Sequence, residues 1–489
     1  MAHSVFLGRK ALILLSGAAL AGCVTAPPVR TAEVALPLAY TATNAALPAV
    51  PLDDWWTLYG DPQLTSLVEQ ALAQGFDVRQ AFARLQEARA IRSGALARFG
   101  LQGNLSGSGQ VQRSQQVTGG AGDIEIPGLP SGSLGGLGGS QTTTSASLSF
   151  PVSWEIDLFG RRGATRRVAN ADLAAARFDY EGARAAVAAE VARSLFQARG
   201  LATQLEDARA NARTQGRLFD LLRRRAERGL APRSEADRIA ADVAQAEAQA
   251  ADLAAALDAT RRALLVLVGS GTNPISTISV TANIPAPPVV PAAVPGELLQ
   301  RRPDVREAEA RLRAAIGNVR LSELDFFPRI TLQPTAALSY TGGDFGGLTA
   351  SAGLGAGLTA PIFDRARLRS QLGVSSARAE QAVLAYERAI LTAYSEADQA
   401  LIRLTADRQR IATLERGAAA AQRAYDAALR RFELGFSDLQ AVLDAERVAR
   451  AARTALTAAR LDALQRSVQA FQALGGGWDT GVPGNDIRG

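Results

Sequence analysis

The sequence predicts an α+β membrane protein in which very long α-helices accompany β-strands with one apolar and one polar face. Three observations lead to this fold class. Ala-rich helical patterns run far longer than in ordinary globular domains, four Gly- and Ser-rich segments alternate apolar with polar residues, and the order of these segments occurs twice along the 489-residue chain. The fold class therefore combines a helical part, a strand part and an internal two-fold repeat.

The helical part rests on three segments of the first half. The longest is predicted over residues 163–228. At about 1.5 Å per residue it is roughly 100 Å long, beyond the usual range for a globular helix. Helical patterns over 62–99 and 232–268 together match it in length. The second of these alternates spacings of four and three between apolar residues, which is typical of a coiled-coil seam. The seam comprises Ile239, Val243, Ala246, Ala250, Leu253, Leu257, Leu264 and Leu267.

The strand part is predicted from a two-residue period in segments 101–112, 144–156, 330–341 and 350–360. Their apolar faces contain many small residues, and their opposite faces carry Ser, Thr and Gln. This combination favours a membrane barrel with a wet lumen over a sheet packed on a globular core. Four strands cannot close around a lumen, and open sheet edges are not tolerated in lipid. Closure therefore requires several copies of the chain, in a number that the residues alone leave open.

The amino terminus reads as a processed lipoprotein signal covering residues 1–22. Arg9 and Lys10 precede a short apolar run, which ends in Leu20-Ala21-Gly22-Cys23, a sequence that resembles the bacterial lipobox. Cys23, the only cysteine, is the predicted lipidation site, since several acyl chains on one residue anchor a protein stably. No later segment resembles an apolar helix of ~20 residues, so any membrane crossing falls to strands.

The domain boundaries follow from composition and from the repeat. An anchored Pro- and Ala-rich linker is predicted over 23–51, and a Pro-rich connector over 283–295. The connector separates a first repeat, 52–282, from a second, 296–478, with a tail over 479–489. Each repeat reads as helix, strand, strand, very long helix, Gly turn and shorter helix. Gly-rich stretches at 119–140 and 342–348 are predicted as the hairpin loops between strands.

The composition argues against an enzyme and against a nucleic-acid partner. The formal charge of +6 comes from 53 basic and 47 acidic residues interleaved at helical spacing, which indicates a solvated, ion-paired helix surface. The single histidine, His3, lies in the predicted signal. The mature chain then has no histidine base and no Cys- or His-based metal site, and no nucleotide-binding loop pattern occurs. No catalytic residue, metal or cofactor is expected.

Five motifs in order resemble the TolC-like outer membrane factors, specifically the lipoprotein branch serving tripartite multidrug efflux pumps of the resistance-nodulation-division type. They are Trp56 to Leu64, Trp154 to Arg161, Glu297 to Val305, Phe326 to Ile330 and Leu474 to Trp478. The resemblance implies a homotrimer anchored by lipid in the cell outer membrane, with a twelve-stranded barrel continued by a long α-helical tunnel in the periplasm. It also implies two partners, a periplasmic adaptor protein and an inner-membrane efflux pump.

Two sites follow from the resemblance. The turns around Gly229 and Gly435 resemble hairpin tips that dock the adaptor, and Asp444 with Arg447 lies where the family's tunnel narrows. The candidate tip residues are Arg225, Gly229, Ser234, Arg431, Gly435 and Ser437.

The function that the resemblance implies is a passive, gated exit duct for small molecules across the outer membrane. Two alternatives stay open at this point: an exit duct for secreted proteins of the type I kind, and a lipid-anchored periplasmic coiled-coil scaffold without a pore. The sequence does not identify the cargo, the gating trigger or the particular pump and adaptor.

Overall fold

The computed structural model describes residues 28–41, 52–114, 141–230, 232–290, 295–342 and 346–477. They belong to two compact units. The strand unit contains the described residues within Met1–Val29, Ala90–Asn170 and Ala314–Ala379, and the helical unit contains those within Arg30–Arg89, Ala171–Arg313 and Glu380–Gly489. The predicted signal 1–22, the predicted loop 119–140, the tail 479–489 and parts of the linker and connector lie outside the described residues.

The α-helices follow the predicted order in both halves of the chain. They are α1 Pro62–Gln74, α2 Phe76–Ala97, α3 Arg161–Glu227, α4 Arg233–Leu267, α5 Leu298–Arg301, α6 Pro303–Leu324, α7 Arg365–Glu433 and α8 Leu439–Ala473. Helices α2 and α6 have 22 residues each, α3 and α7 have 67 and 69, and α4 and α8 have 35 each. Within the described residues, no helix is both long enough and apolar enough to cross a bilayer.

The helical pattern predicted over 62–99 is divided at Gly75 into two helices, α1 and α2. Asp61 caps the start of α1, because its carboxylate accepts bonds from the N–H groups of Gln63 and Leu64, at 3.1 and 3.2 Å. At Gly75 the backbone turns away with ψ of 136°. A Cβ at Gly75 would stand 2.4 Å from the Ala71 carbonyl oxygen and 3.1 Å from that of Leu267. Only glycine fits this close approach.

The four predicted strand segments are confirmed, the first as two pieces. The strands are β1 Gln102–Gly103, β2 Ser106–Ser114, β3 Gln141–Ile156, β4 Arg329–Gly342 and β5 Gly347–Thr359. All neighbours are antiparallel: β1 and β2 both pair with β3, which pairs with β4, which pairs with β5. The outermost strands β2 and β5 have no further partner within the part of the chain that the structure describes.

Two prolines interrupt the sheet, Pro151 within β3 and Pro334 within β4. The β3–β4 pairing stops at Pro151 opposite Thr335 and resumes at Trp154 opposite Leu332. Proline lacks the N–H that a continuous ladder needs, so the gap falls where the two prolines come together. On its other side β3 pairs here with β1.

The helical unit is built on a core that joins distant parts of the chain. Trp55, fully buried, stacks on Phe471 of α8 with ring centroids 5.5 Å apart, and Phe196 of α3 is also fully buried. The seam predicted in α4 faces inward, since Ile239 and Leu264 are fully buried.

Residues 30–41 of the predicted linker lie along α7 instead of standing free. Arg30 pairs with both oxygens of Glu387, at 2.6 and 3.0 Å. Farther along, Tyr40 stacks on Tyr394, with centroids 5.7 Å apart. The segment ends where the N–H of Thr41 donates to Asp398 at 2.7 Å. These partners recur along one stripe of α7, so this part of the linker belongs to the helical unit.

Candidate functional site at the hairpin ends

Both helix-hairpin turns are built around a left-handed glycine. The first tip, residues 228–230 and 232, lies between α3 and α4, and the second tip, residues 434–438, joins α7 to α8. Gly229 has φ of +71° and Gly435 of +80°. The N–H of the next residue donates to the carbonyl oxygen of Arg225 in the first tip (2.9 Å) and of Arg431 in the second (2.8 Å). This is the Schellman arrangement, so the predicted turn role of both glycines is confirmed.

Replacing either tip glycine by alanine is expected to loosen its turn. Open space surrounds Gly229 and Gly435, so the cost comes only from the positive φ, about 1–2 kcal/mol. Amide hydrogen exchange of the tip residues should accelerate by about fivefold or more. The control is Gly216→Ala inside α3, which also has open space, and which should slow local exchange because alanine favours the helix. Equal effects at Gly435 and Gly216 would contradict this interpretation.

The two hairpins pack against each other close to their tips. The guanidinium carbon of Arg225 lies 5.1 Å from the ring centre of Phe432. Leu222 and Ile239 form a buried cluster with the partly buried Leu439 and Leu443. The ends of α3, α4, α7 and α8 are therefore one packed block. Phe432 contributes its aromatic ring to this block and, as a phenylalanine, offers no hydroxyl for a hydrogen bond.

The tips also expose apolar side chains that the sequence analysis did not single out. Leu230, Leu434 and Phe436 are 72%, 71% and 74% exposed. Ser234 is exposed beside them, whereas the hydroxyl oxygen of Ser437 is buried and has no hydrogen-bond partner. The available signal was an apolar residue directly beside each turn glycine, where solvated turns usually carry polar residues.

The predicted aperture pair, Asp444 and Arg447, is adjacent on α8. Arg447 Nη2 stands 4.0 Å from Asp444 Oδ1, and both side chains are more than half exposed. The Gln440 amide donates to both Asp444 oxygens at 3.3 Å, and the same Gln440 accepts a bond of 3.3 Å from Arg238 of α4. An exposed pair of this kind contributes about 1 kcal/mol or less in one chain. Its importance depends on where it lies in an assembly.

A second polar group, which the sequence analysis missed, lies on the opposite side of α8. We call Asn211 of α3 with Glu446 and Arg450 of α8 the anchoring cluster. With the Asn211 amide turned so that each of its atoms meets a complementary group, its nitrogen donates to Glu446 Oε1 at 2.9 Å and its oxygen accepts from Arg450 Nη1 at 3.2 Å. The cluster lines a cavity of about 190 Å³ between α3, α4, α7 and α8. Burial raises the pKa of the Glu446 carboxyl, and Asp242 adds to the rise while Arg450 and Arg453 oppose it.

The remaining site predictions concern lipid and metal. Cys23, the predicted lipidation site, lies outside the described residues. Within the described ranges, no group of three or more His, Cys, Asp and Glu side chains is placed to hold a metal ion.

Comparison with known proteins identifies the family. The sequence matches the family model described as "Outer membrane efflux protein" over residues 67–270 and 294–476. It is 29% identical over 476 residues to the pyoverdine export outer membrane protein OpmQ of Pseudomonas aeruginosa, with 97% of this chain and 98% of OpmQ covered. It is 28% identical over 484 residues to the toluene efflux pump outer membrane protein TtgC of Pseudomonas putida, with 96% of each covered. The solved outer-membrane channel OprN matches with a TM-score of 0.77 at 28% identity, over 94% of this chain and 100% of OprN.

The two matched segments cover well over half of the chain. They agree with the predicted family, with the outer-membrane location and with a transport function. The relatives named for efflux or export and the OprN channel place this chain among conduits and not among enzymes. The chain belongs to the outer membrane efflux protein family and is an outer-membrane efflux channel.

Proposed function

We propose that copies of this chain assemble into a passive, gated duct through which small molecules leave across the outer membrane. The observation that carries the proposal is the pair of faces on the β-sheet. One face exposes large apolar side chains in register, such as Leu148 opposite Leu338. The other carries hydroxyls that bond across strands, such as Ser106 to Ser149 at 2.7 Å and Ser108 to Ser147 at 2.8 Å. Lipid suits the first face and a wet lumen the second.

The open sheet supports assembly from several copies. Strands β2 and β5 end the sheet, and an unpaired edge in lipid leaves backbone groups without hydrogen bonds. Three copies would close a barrel of about twelve strands, within the range of known membrane barrels. The long helices of three copies would continue as a coiled-coil tunnel in the periplasm. We propose that residues 52–282 and 296–478 form the two repeated halves of each copy.

Two features of the strand unit support a membrane position. Apolar side chains are exposed where strands meet helices, with Leu158 at 62%, Ile362 at 71% and Phe363 at 97%. Such residues suit the boundary between lipid and water. Val29 packs against the same buried cluster, Val319 with Leu372 and Ala379, as Phe326, which lies just before β4 begins. Cys23 is only six residues before Val29, so the chain between them spans at most about 20 Å. A lipid anchor on Cys23 would then reach the same boundary.

The exposed tips support docking of a periplasmic adaptor, which would link the duct to an inner-membrane pump. Leu230, Leu434 and Phe436 offer apolar contacts, and Arg225, Gly229, Ser234, Arg431, Gly435 and Ser437 frame them. Exposed apolar residues clustered at one end of a protein are typical of an interaction site. The adaptor surface should therefore present apolar side chains to these three residues.

The relatives bear on the cargo. OpmQ is named for pyoverdine export and TtgC for toluene efflux, both small organic molecules. We therefore propose small molecules as the cargo class, ahead of the secreted proteins of a type I system. A scaffold without a pore would not require a sheet with an exposed apolar face, so this face favours the duct over the scaffold.

The test is single-channel recording of the purified protein in planar bilayers. Replacing Asp444 and Arg447 together by alanine should raise the conductance several-fold, because the pair would no longer hold the narrow end of the tunnel closed. The matched control is Asp220→Ala with Arg223→Ala, an exposed pair with the same spacing at 3.9 Å on α3. It should leave conductance unchanged. A chain that never conducts, even in the Asp444 and Arg447 variant, would support the scaffold and refute the duct.

A further inference from the structure

Helix α8 uses one face for the aperture pair and another for the anchoring cluster. Asp444 and Glu446 are two residues apart, about 200° around a helix, so they point in nearly opposite directions. The Asp444 side chain is 56% exposed, whereas that of Glu446 is only 14% exposed. Any movement of the aperture pair that carries α8 with it must therefore disturb the contacts of Glu446.

We propose that Asn211 and Glu446 are positioning residues that hold α8 against α3 in the closed channel, and that loss of the Glu446 proton weakens this hold. The inference rests on the proposed function, because it assigns the control of the same aperture. It concerns residues that neither dock a partner nor line the predicted constriction.

The contacts of the cluster tie two turns of α8 to its neighbours. The Asn211 amide bridges Glu446 and Arg450, as described above, so one side chain of α3 holds two of α8. One turn farther, Arg453 Nη1 lies 3.9 Å from Asp207 of α3, and Arg453 Nη2 donates to Gln422 of α7 at 2.6 Å. Helix α8 is thus fastened to α3 and α7 through polar groups beside a cavity.

The charges around Glu446 set the direction of the pH effect. The groups facing it from the packed helices are Asp207 of α3, Asp242 of α4, Tyr425 of α7, and Arg450 and Arg453 of α8. Burial in the cavity raises the pKa of Glu446 above its usual 4.5, and burial also raises that of Asp207 above 3.8. In a released α8 both carboxyls would meet water and return to their usual values.

The sign follows from comparing the two states. At low pH both states hold the Glu446 proton, and the packed state has its full stability. As the pH rises above 4.5, the released state gives up the proton first, and the packed state loses relative stability until its own raised pKa is passed. Each unit of difference between the two pKa values changes the ratio of open to closed channels about tenfold. The channel should therefore open more readily as the pH rises.

The experiment measures open probability in planar bilayers between about pH 5 and pH 8 for the full-length protein. Wild type should show a several-fold rise with pH. Glu446→Gln has the same size but cannot ionise, so it should stay mostly closed and lose most of the rise, with a remainder from Asp207. Asn211→Ala should raise the open probability at every pH, because it removes the bridge itself. Glu247→Gln, an exposed glutamate of α4, is the matched control and should behave as wild type.

The outcomes separate this inference from the proposed function. If Glu446→Gln keeps the full wild-type pH profile, the positioning role of Glu446 is wrong, while the duct stands. If Asn211→Ala and Glu446→Gln behave as inferred but the Asp444 and Arg447 variant conducts like wild type, the hold on α8 stands and the aperture assignment falls. If no variant conducts at any pH, including the Asp444 and Arg447 variant, the proposed function and this inference both fall. If open probability depends on pH equally in Glu446→Gln and Glu247→Gln, any effect of Glu446 on stability comes from its packing and not from its proton.

Discussion

Replacing Leu338 by arginine is expected to stop the protein from reaching the outer membrane in folded form. Leu338 lies in β4 between Leu148 of β3 and Ala350 of β5, on the apolar face of the sheet, and is 40% exposed. An arginine on the lipid face of a membrane sheet costs about 2–4 kcal/mol near the middle of the bilayer. The cost recurs in every copy of the assembly. Density-gradient flotation of membranes, with urea washing, measures the fraction of protein that is inserted.

The adjacent residue supplies the control. Ser339 belongs to the same strand but to the opposite face, between Ser147 and Thr349. In the proposed assembly this face meets water, so Ser339→Arg should insert normally. A sheet surrounded by water on both faces would respond in the opposite way, since Leu338→Arg would remove an exposed apolar residue. Normal insertion of Leu338→Arg would therefore overturn the membrane role of this sheet.

The strands could be predicted because their pattern is local. Ser147 and Leu148 face opposite sides in any strand, and the same alternation holds in the neighbouring strand, where Ser339 lies opposite Ser147 and Leu338 opposite Leu148. The left-handed turns could also be predicted, since Gly229 and Gly435 each follow a long helix that must end. In these cases a few neighbouring residues contain all the information that decides the structure.

Other features depend on residues far apart in the sequence. At Gly75 the Leu267 carbonyl oxygen approaches from a distant part of the chain, and the course of residues 30–41 follows from acidic and aromatic side chains of α7 more than 350 positions away. The anchoring cluster needs Asn211 and Glu446 to meet across two helices. The only signal in the sequence was an Asn in an Ala-rich helix, and such a residue does not indicate which side chain it will contact.

A buried ion pair in the helical unit carries the second large expected effect. Arg199 of α3 donates one bond to Asp61 and another, of 3.0 Å, to Gln63. The side chains of Arg199 and Asp61 are only 9% and 11% exposed. Asp61 also caps α1, so the pair fixes the start of one helix to the side of another. Removing the arginine leaves a carboxylate that is buried and has lost its cation.

Arg199→Met is expected to lower the free energy of unfolding by about 3–5 kcal/mol, the usual cost of removing one partner of a buried ion pair. Methionine keeps much of the side-chain volume, so the loss reports on charge rather than on a cavity. Asp61→Asn keeps a helix cap but leaves Arg199 without its anionic partner, so it should also destabilise the protein. In the double variant the free energy of unfolding should fall by clearly less than the sum of the two single losses, because neither charge is then left without its partner. Urea denaturation in detergent, followed by circular dichroism, measures all three.

The matched control and the pH dependence together identify the cause. Arg460 pairs with Glu415 at 2.8 Å, but both side chains are nearly half exposed, so Arg460→Met should cost about 1 kcal/mol or less. Burial alone would raise the pKa of Asp61, but the bonds from Arg199 and the helix N–H groups outweigh it and hold that pKa below the usual 3.8. The stability from the pair is therefore present above pH 3.8 and is lost as the pH falls through the lowered pKa. The difference between wild type and Arg199→Met should shrink on acidification through that range, and a difference that stays constant would show that the arginine acts through packing and not through its charge.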